Sequence, residues 1–128
     1  MRVYILFLSL MLLSCKINQT KNGVSVGRWK YLSGTKNERL IVKGRYDKFG
    51  REKGIWKYYT NDTLFRKETY FYPYSVDVLY HKNGMVKELG LGYTSAKTWT
   101  KIGTWYKYNE MGKLTDSLSF INEKTPQN

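Results

Sequence analysis

The stretch "KGIWKYY", residues 53–59, decides the fold. Trp56 and Tyr58 are two positions apart and share one face of a strand, while Lys57 between them points to the other. The pattern returns as "VGRWKY" at 26–31 and as "IGTWYKY" at 102–108. After Ser14 no segment carries apolar residues at helical spacing for long enough to form a helix, so the mature chain is read as strands.

The tryptophans Trp29, Trp56 and Trp105 stand 27 and 49 residues apart, and the second gap is close to two periods of about 24. A copy without its tryptophan is therefore expected between them, at Tyr80-His81-Lys82-Asn83-Gly84-Met85-Val86. Turn sequences separate the apolar alternations: Asp47-Lys48-Phe49-Gly50, Thr60-Asn61-Asp62, Lys82-Asn83-Gly84 and Asn109-Glu110-Met111-Gly112. Gly and Asn tolerate the positive φ of tight hairpins. A period of this length holds one hairpin, so the expected fold is all-β, a single antiparallel sheet built as a meander of repeated hairpins and preceded by a short apolar signal helix. The residues that define the repeat are Gly27, Trp29, Tyr31, Gly50, Gly54, Trp56, Tyr59, Tyr80, Gly84, Gly103, Trp105, Tyr108 and Gly112.

The series Tyr46-Asp47-x-x-Gly50-x-x-x-Gly54-x-Trp56-x-x-Tyr59, Tyr80-x-x-Asn83-Gly84-x-Val86 and Gly103-x-Trp105-x-x-Tyr108-x-x-x-Gly112-x-Leu114 resembles the MORN-type repeat in its divergent bacterial form. That form occurs in YwqK-like antitoxin proteins and in small envelope lipoproteins. The resemblance implies a repeat β-sheet scaffold used for binding or structure rather than catalysis, and it supplies no ligand. Two positions depart from the pattern. Pro73 lacks the N–H that a ladder needs and points to an edge, bulge or bend, and Trp105-Tyr106-Lys107-Tyr108 exchanges the Lys and Tyr of the earlier copies, leaving the facing of Tyr106 open.

Upstream of the repeats, Arg2 precedes an apolar run from Val3 to Ser14 that ends at Cys15, the one cysteine of the chain. The run is shorter than the roughly 20 residues a membrane-spanning helix needs and fits the apolar region of an export signal. Leu12-Leu13-Ser14-Cys15 resembles the bacterial lipobox, whose cysteine is acylated and becomes the first mature residue. A thiolate is the side chain best suited to accept a lipid group. The expected organisation is a signal peptide over 1–14, the acylated Cys15 with a polar tether over 15–24, the repeat domain over 25–121 and a flexible tail over 122–128. Placement is expected in the cell envelope, held to a membrane by acyl groups. Lys16, unlike an aspartate there, favours the outer membrane where the host has one.

Composition sets the remaining bounds. Twelve Tyr and four Trp in 128 residues suggest a thin protein whose rings are half covered. With 22 Lys and Arg against 10 Asp and Glu, the net charge is +12, which attracts anions. In an envelope these are acidic components or an acidic protein partner rather than nucleic acid. Most of the lysines are expected to be solvated groups that keep strand edges from pairing with other chains. Loss of the only thiol to a lipid excludes disulfides and cysteine-held zinc.

Sites for chemistry are few. His81 lies beside the Asn83-Gly84 turn; Asp77 and Glu88, its nearest carboxylates in sequence, are too far along the strand to share a metal with it. No metal, cofactor or catalytic set is expected. Tyr70, Tyr72 and Tyr74 alternate around Pro73 and are the candidate binding surface, an aromatic strip left uncovered. Function is read as a non-enzymatic binding or structural module anchored in the envelope. The alternatives are an antitoxin or immunity-like protein that neutralises a cognate toxin, and an envelope glycan hydrolase acting through carboxylates whose pairing the sequence leaves open.

Overall fold

A computed structural model describes residues 16–121, so Cys15, the signal segment and the tail over 122–128 lie outside the described residues. Nine strands follow one another: β1 (Gln19–Lys21), β2 (Val24–Gly34), β3 (Arg39–Tyr46), β4 (Glu52–Thr60), β5 (Thr63–Phe71), β6 (Tyr74–Tyr80), β7 (Val86–Ser95), β8 (Thr98–Tyr108) and β9 (Leu114–Phe120). They form one sheet in chain order, and every neighbouring pair is antiparallel. The expected meander of hairpins is what the chain builds, and the described residues contain no helix.

Each signature residue has a backbone job. In "Gly-x-Trp", Gly27, Gly54 and Gly103 all have φ between +63° and +69°. At Gly54 and Gly103 the register slips: Lys43 and Arg45 face Lys57 and Lys53, and Leu89 and Leu91 face Tyr106 and Ile102. Two extra residues are thus bulged out, with glycine supplying the positive φ that a bulge of this kind needs. A second kind of slip falls at Tyr59, Tyr80 and Tyr108, where each tyrosine meets a partner strand that has skipped one residue. The tyrosines of the repeat therefore mark one structural position in three hairpins, including the one that lacks tryptophan.

Six of the eight turns fall into two kinds. Asp47–Gly50, His81–Gly84 and Asn109–Gly112 close with the same pair of backbone bonds, such as Gly50 N–H to Asp47 C=O at 3.2 Å and Asp47 N–H to Arg51 C=O at 2.8 Å. The side-chain oxygens of Asp47 and Asn109 also accept two backbone N–H groups each. Asn22-Gly23, Asn61-Asp62 and Ala96-Lys97 are two-residue turns with positive φ at both positions, the geometry whose twist suits a hairpin. Pro73 sits with Tyr72 in the turn between Phe71 and Tyr74, so no ladder bond is asked of it.

The segment expected as a tether is partly ordered. Asn22-Gly23 folds residues 19–21 back onto Val24, Ser25 and Val26. Asn18 then continues the edge with its side chain, donating to the Lys30 carbonyl and accepting from the Lys30 N–H at 2.7 Å. Short polar segments can join a sheet edge when a turn of this type supplies the register.

Trp105 is buried and Tyr106 exposed, so the exchange of Lys and Tyr in the last copy puts Tyr106 on the face opposite the tryptophans. That face also carries Lys30, Lys43, Lys57 and Lys67 of β2 to β5, of which Lys30 lies beyond the short β1 pairing and the others within the sheet. The tryptophan face rolls inward: Tyr46 of β3 and Thr94 of β7 line one cleft although four strand spacings, about 19 Å in a flat sheet, separate them.

Candidate functional site

A row of side chains crosses the inner face at one level. Trp29 of β2 is opposite Gly44 of β3; Trp56 of β4 is opposite Glu68 of β5; Glu68 is opposite Asp77 of β6, and Asp77 opposite Gly90 of β7. At both ends a glycine underlies an indole. A Cβ on Gly44 would lie 1.9 Å from the Trp56 ring, and one on Gly90 would lie 2.2 Å from the Trp105 ring. The indole N–H of Trp56 reaches the Arg45 carbonyl at 3.2 Å, and that of Trp105 the Leu91 carbonyl at 2.9 Å, in each case one residue past the glycine. Glycine and tryptophan therefore form a repeated unit in which the ring lies flat on backbone. In the central hairpin Glu68 holds the glycine position and Asp77 the tryptophan position.

Two carboxylates under a layer of rings need compensation, since an unpaired buried charge is costly. Arg66 provides it. It is next to Glu68 on the same face of β5 and pairs with both acids, its Nε lying 2.9 Å from Asp77 Oδ2. Its guanidinium lies between the Tyr58 ring at 5.2 Å and the Trp99 ring at 4.9 Å. Tyr58 and Tyr70 donate their hydroxyls to Glu68 Oε2 at 2.6 and 2.8 Å. Ser75 donates to Asp77 Oδ1 at 3.0 Å and accepts the Trp99 indole N–H at 3.1 Å. Trp99 in turn rests on Gly92, where a Cβ would lie 2.1 Å from its nitrogen.

Burial governs the protonation of this cluster. Loss of solvent, with the neighbouring Glu68 adding to it, raises the Asp77 carboxyl to about 6 even though Arg66 pulls it down. Burial and the Glu68 carboxylate raise the Tyr58 and Tyr70 hydroxyls well above their ordinary value, keeping both as donors. Burial works against the Arg66 cation, but the two acids outweigh it and raise its affinity for its proton.

The geometry limits what these acids can do. Glu68 is 2% and Asp77 0% exposed, and no buried side-chain polar atom among the described residues lacks a hydrogen-bond partner. Both carboxylates face Arg66, with rings between them and solvent. Such a closed set positions a sheet; a general acid or nucleophile has to reach its substrate. No known protein family, curated protein or solved structure matches the chain.

The three tyrosines expected as one strip are separated. Tyr70 belongs to the inner face and is engaged by Glu68, Tyr72 is at the turn with Arg51 over its ring at 5.1 Å, and Tyr74 is on the outer face beside Tyr93 at 5.5 Å. Alternation around a two-residue turn sends Tyr70 and Tyr74 to opposite faces, so they do not form one surface. His81 is a strut: its Nε2 lies 2.8 Å from the Tyr108 carbonyl and joins two neighbouring turns, which Asn83 also ties through the Glu110 carbonyl at 2.9 Å. Among the described residues no group of three or more His, Cys, Asp or Glu is placed to hold a metal, and no helix is long and apolar enough to cross a membrane.

Sequence reasoning missed Arg66, Glu68, Ser75 and Trp99. The signal was available in "FRKETY", 65–70, where Arg66, Glu68 and Tyr70 alternate on one face. What could not be read was their opposition to Asp77, which depends on pairing between strands.

Proposed function

We propose that this chain is an exported, lipid-anchored envelope protein whose MORN-type repeat sheet serves as a non-enzymatic binding or structural module. The observation that carries the binding reading is the closure of Glu68 and Asp77 by Arg66 and four surrounding side chains: the carboxylates that come together in the fold are committed to holding it. The Gly-x-Trp bulges and the three four-residue turns support the repeat assignment, because they give the signature residues one backbone role in successive hairpins. The anchor rests on Leu12-Leu13-Ser14-Cys15 behind a short apolar run. Sheet order begins at Gln19, leaving only a few residues between the proposed lipid and the domain. The sheet would therefore sit close to the membrane surface rather than on a long stalk.

Mass spectrometry of the chain from its native host tests this. The expected product begins at Cys15 and carries diacylglyceryl and N-acyl mass; a chain beginning at Met1 with a free thiol overturns it.

A further inference from the structure

The outer face of the sheet carries its cations in register. Lys30 of β2 is directly opposite Lys43 of β3, Lys43 opposite Lys57 of β4, and Lys57 opposite Lys67 of β5. Two residues along, Arg28 is opposite Arg45, and Arg45 opposite Lys53. Like charges directly across an antiparallel pair destabilise it, so two adjacent rows of them work against the sheet that contains them. No carboxylate of the described residues lies within ion-pair distance of Lys30, Lys43, Lys57 or Lys67.

The second row opens into a shallow basin of about 620 Å³, where Lys16 and Lys48 join Arg28, Arg45 and Lys53 around the exposed ring of Phe49. Asp47 is the one acid in its lining. Its carboxylate is turned to Arg51, at 2.8 Å, and to two backbone N–H groups, which outweigh burial and keep it ionised. On the outer face the ring of Tyr59 lies 5.5 Å from the Lys43 ammonium, while Phe49 stands at the turn between the two faces. The cation row ends at β5, since Lys67 is followed across the sheet by Val78 and Leu89.

We propose that this face binds a linear acidic polysaccharide, a chain of sugar rings bearing a carboxylate at short regular intervals. The inference rests on the envelope placement proposed above, where such polymers are the extended anions at hand. Four cations in one cross-strand row span three strand spacings, about 14 Å along the sheet, and match an extended polyanion lying across the strands. The basin suits a single carboxylate-bearing sugar: Lys48 and Arg51 lie over the exposed Phe49 ring at 5.0 Å each, so a pyranose would meet the rim of that ring while its carboxylate meets the surrounding cations. A bilayer presents its charges as a plane and has no use for a basin at the end of the cation rows.

The test titrates the full detergent-solubilised chain with oligogalacturonate, in parallel with neutral dextran oligosaccharide, single-stranded DNA and phosphatidylglycerol vesicles, at low and high salt. The expected result is binding to oligogalacturonate in preference to the other three, weakening as salt rises. Lys43→Gln/Lys57→Gln should be about tenfold weaker while folding cooperatively, and Phe49→Ala, outside the cation rows, should also weaken it. Equal binding to dextran, stronger binding to DNA or vesicles, or an undiminished affinity in the double variant would each overturn the proposal. The mass at Cys15 in the native protein separates this from the placement: an acylated chain that ignores oligogalacturonate sinks the glycan site alone, whereas a bare thiol with binding intact sinks the anchor alone.

Discussion

Glu68 and Asp77 face each other across β5 and β6, at the positions that glycine and tryptophan occupy in the hairpins on either side. The central hairpin thus replaces a ring lying on bare backbone with two acids and the Arg66 guanidinium. Tyr58 and Trp99 close over that cation much as an indole closes over glycine elsewhere.

The replacement makes stability depend on pH. Asp77 ionises near 6 in the fold and at about 3.8 when free, so the native state holds the proton more tightly. Its favourable contribution is complete below pH 4 and is lost as pH rises through 6, a change on the order of 3 kcal/mol. Urea denaturation at pH 4, 5, 6 and 7 should show this decline in the wild type. Asp77→Asn should flatten it over the same window; an unchanged slope in the variant would assign the pH dependence to other groups.

Glycine at the ring-bearing positions is required by space. Gly44 has an ordinary φ, so its demand comes from the Trp56 ring atoms at 1.9–2.4 Å from any added Cβ. Gly44→Ala should cost about 3 kcal/mol, at the upper end of overpacking effects, and Gly90→Ala should behave alike beneath Trp105. If the clash is the cause, Trp56→Leu combined with Gly44→Ala should lose less than the sum of the two single changes. Additivity in that cycle would mean that the ring and the glycine are not coupled.

Much of this sheet was legible in the chain. The alternation in Trp56-Lys57-Tyr58 announces a strand, and Asn83-Gly84 and Asn109 to Gly112 announce turns, because local φ preference and period-two burial act within a few residues. Gln19 to Lys21 was not legible as a strand, since its three polar residues hold no pattern and are ordered by Asn22-Gly23 and the Asn18 side chain. Nor did Ala96-Lys97 carry a turn signal, although both residues adopt positive φ. The meeting of Arg66, Glu68 and Asp77 depends on which strands pair and in what register, and the missing tryptophan showed only that something else must fill its place.

The cation rows on the outer face leave a measurable trace in stability, separate from any ligand. Lys57 lies between Lys43 and Lys67, so Lys57→Glu exchanges two cross-strand repulsions for two attractions. An increase of about 0.5–1 kcal/mol is expected at low ionic strength, shrinking in high salt as the charges are screened. Thermal unfolding in 20 mM and 500 mM sodium chloride would show it. A variant less stable than wild type at both concentrations would mean that the rows do not strain the sheet.

Arg66 offers the sharpest test of the inner cluster, because its loss and the pH effect are linked. Arg66→Met keeps an unbranched chain between Tyr58 and Trp99 but removes the charge that both acids face. At pH 7 the variant must either leave two carboxylates unpaired under the rings or protonate them, and breaking a buried pair in this way costs about 3–5 kcal/mol. At pH 4 Asp77 already carries its proton, so much of that penalty should vanish. Denaturation of Arg66→Met should therefore show a deficit that narrows as pH falls from 7 to 4. An equal deficit at both values would mean that Arg66 acts by packing between the rings and that its charge is incidental.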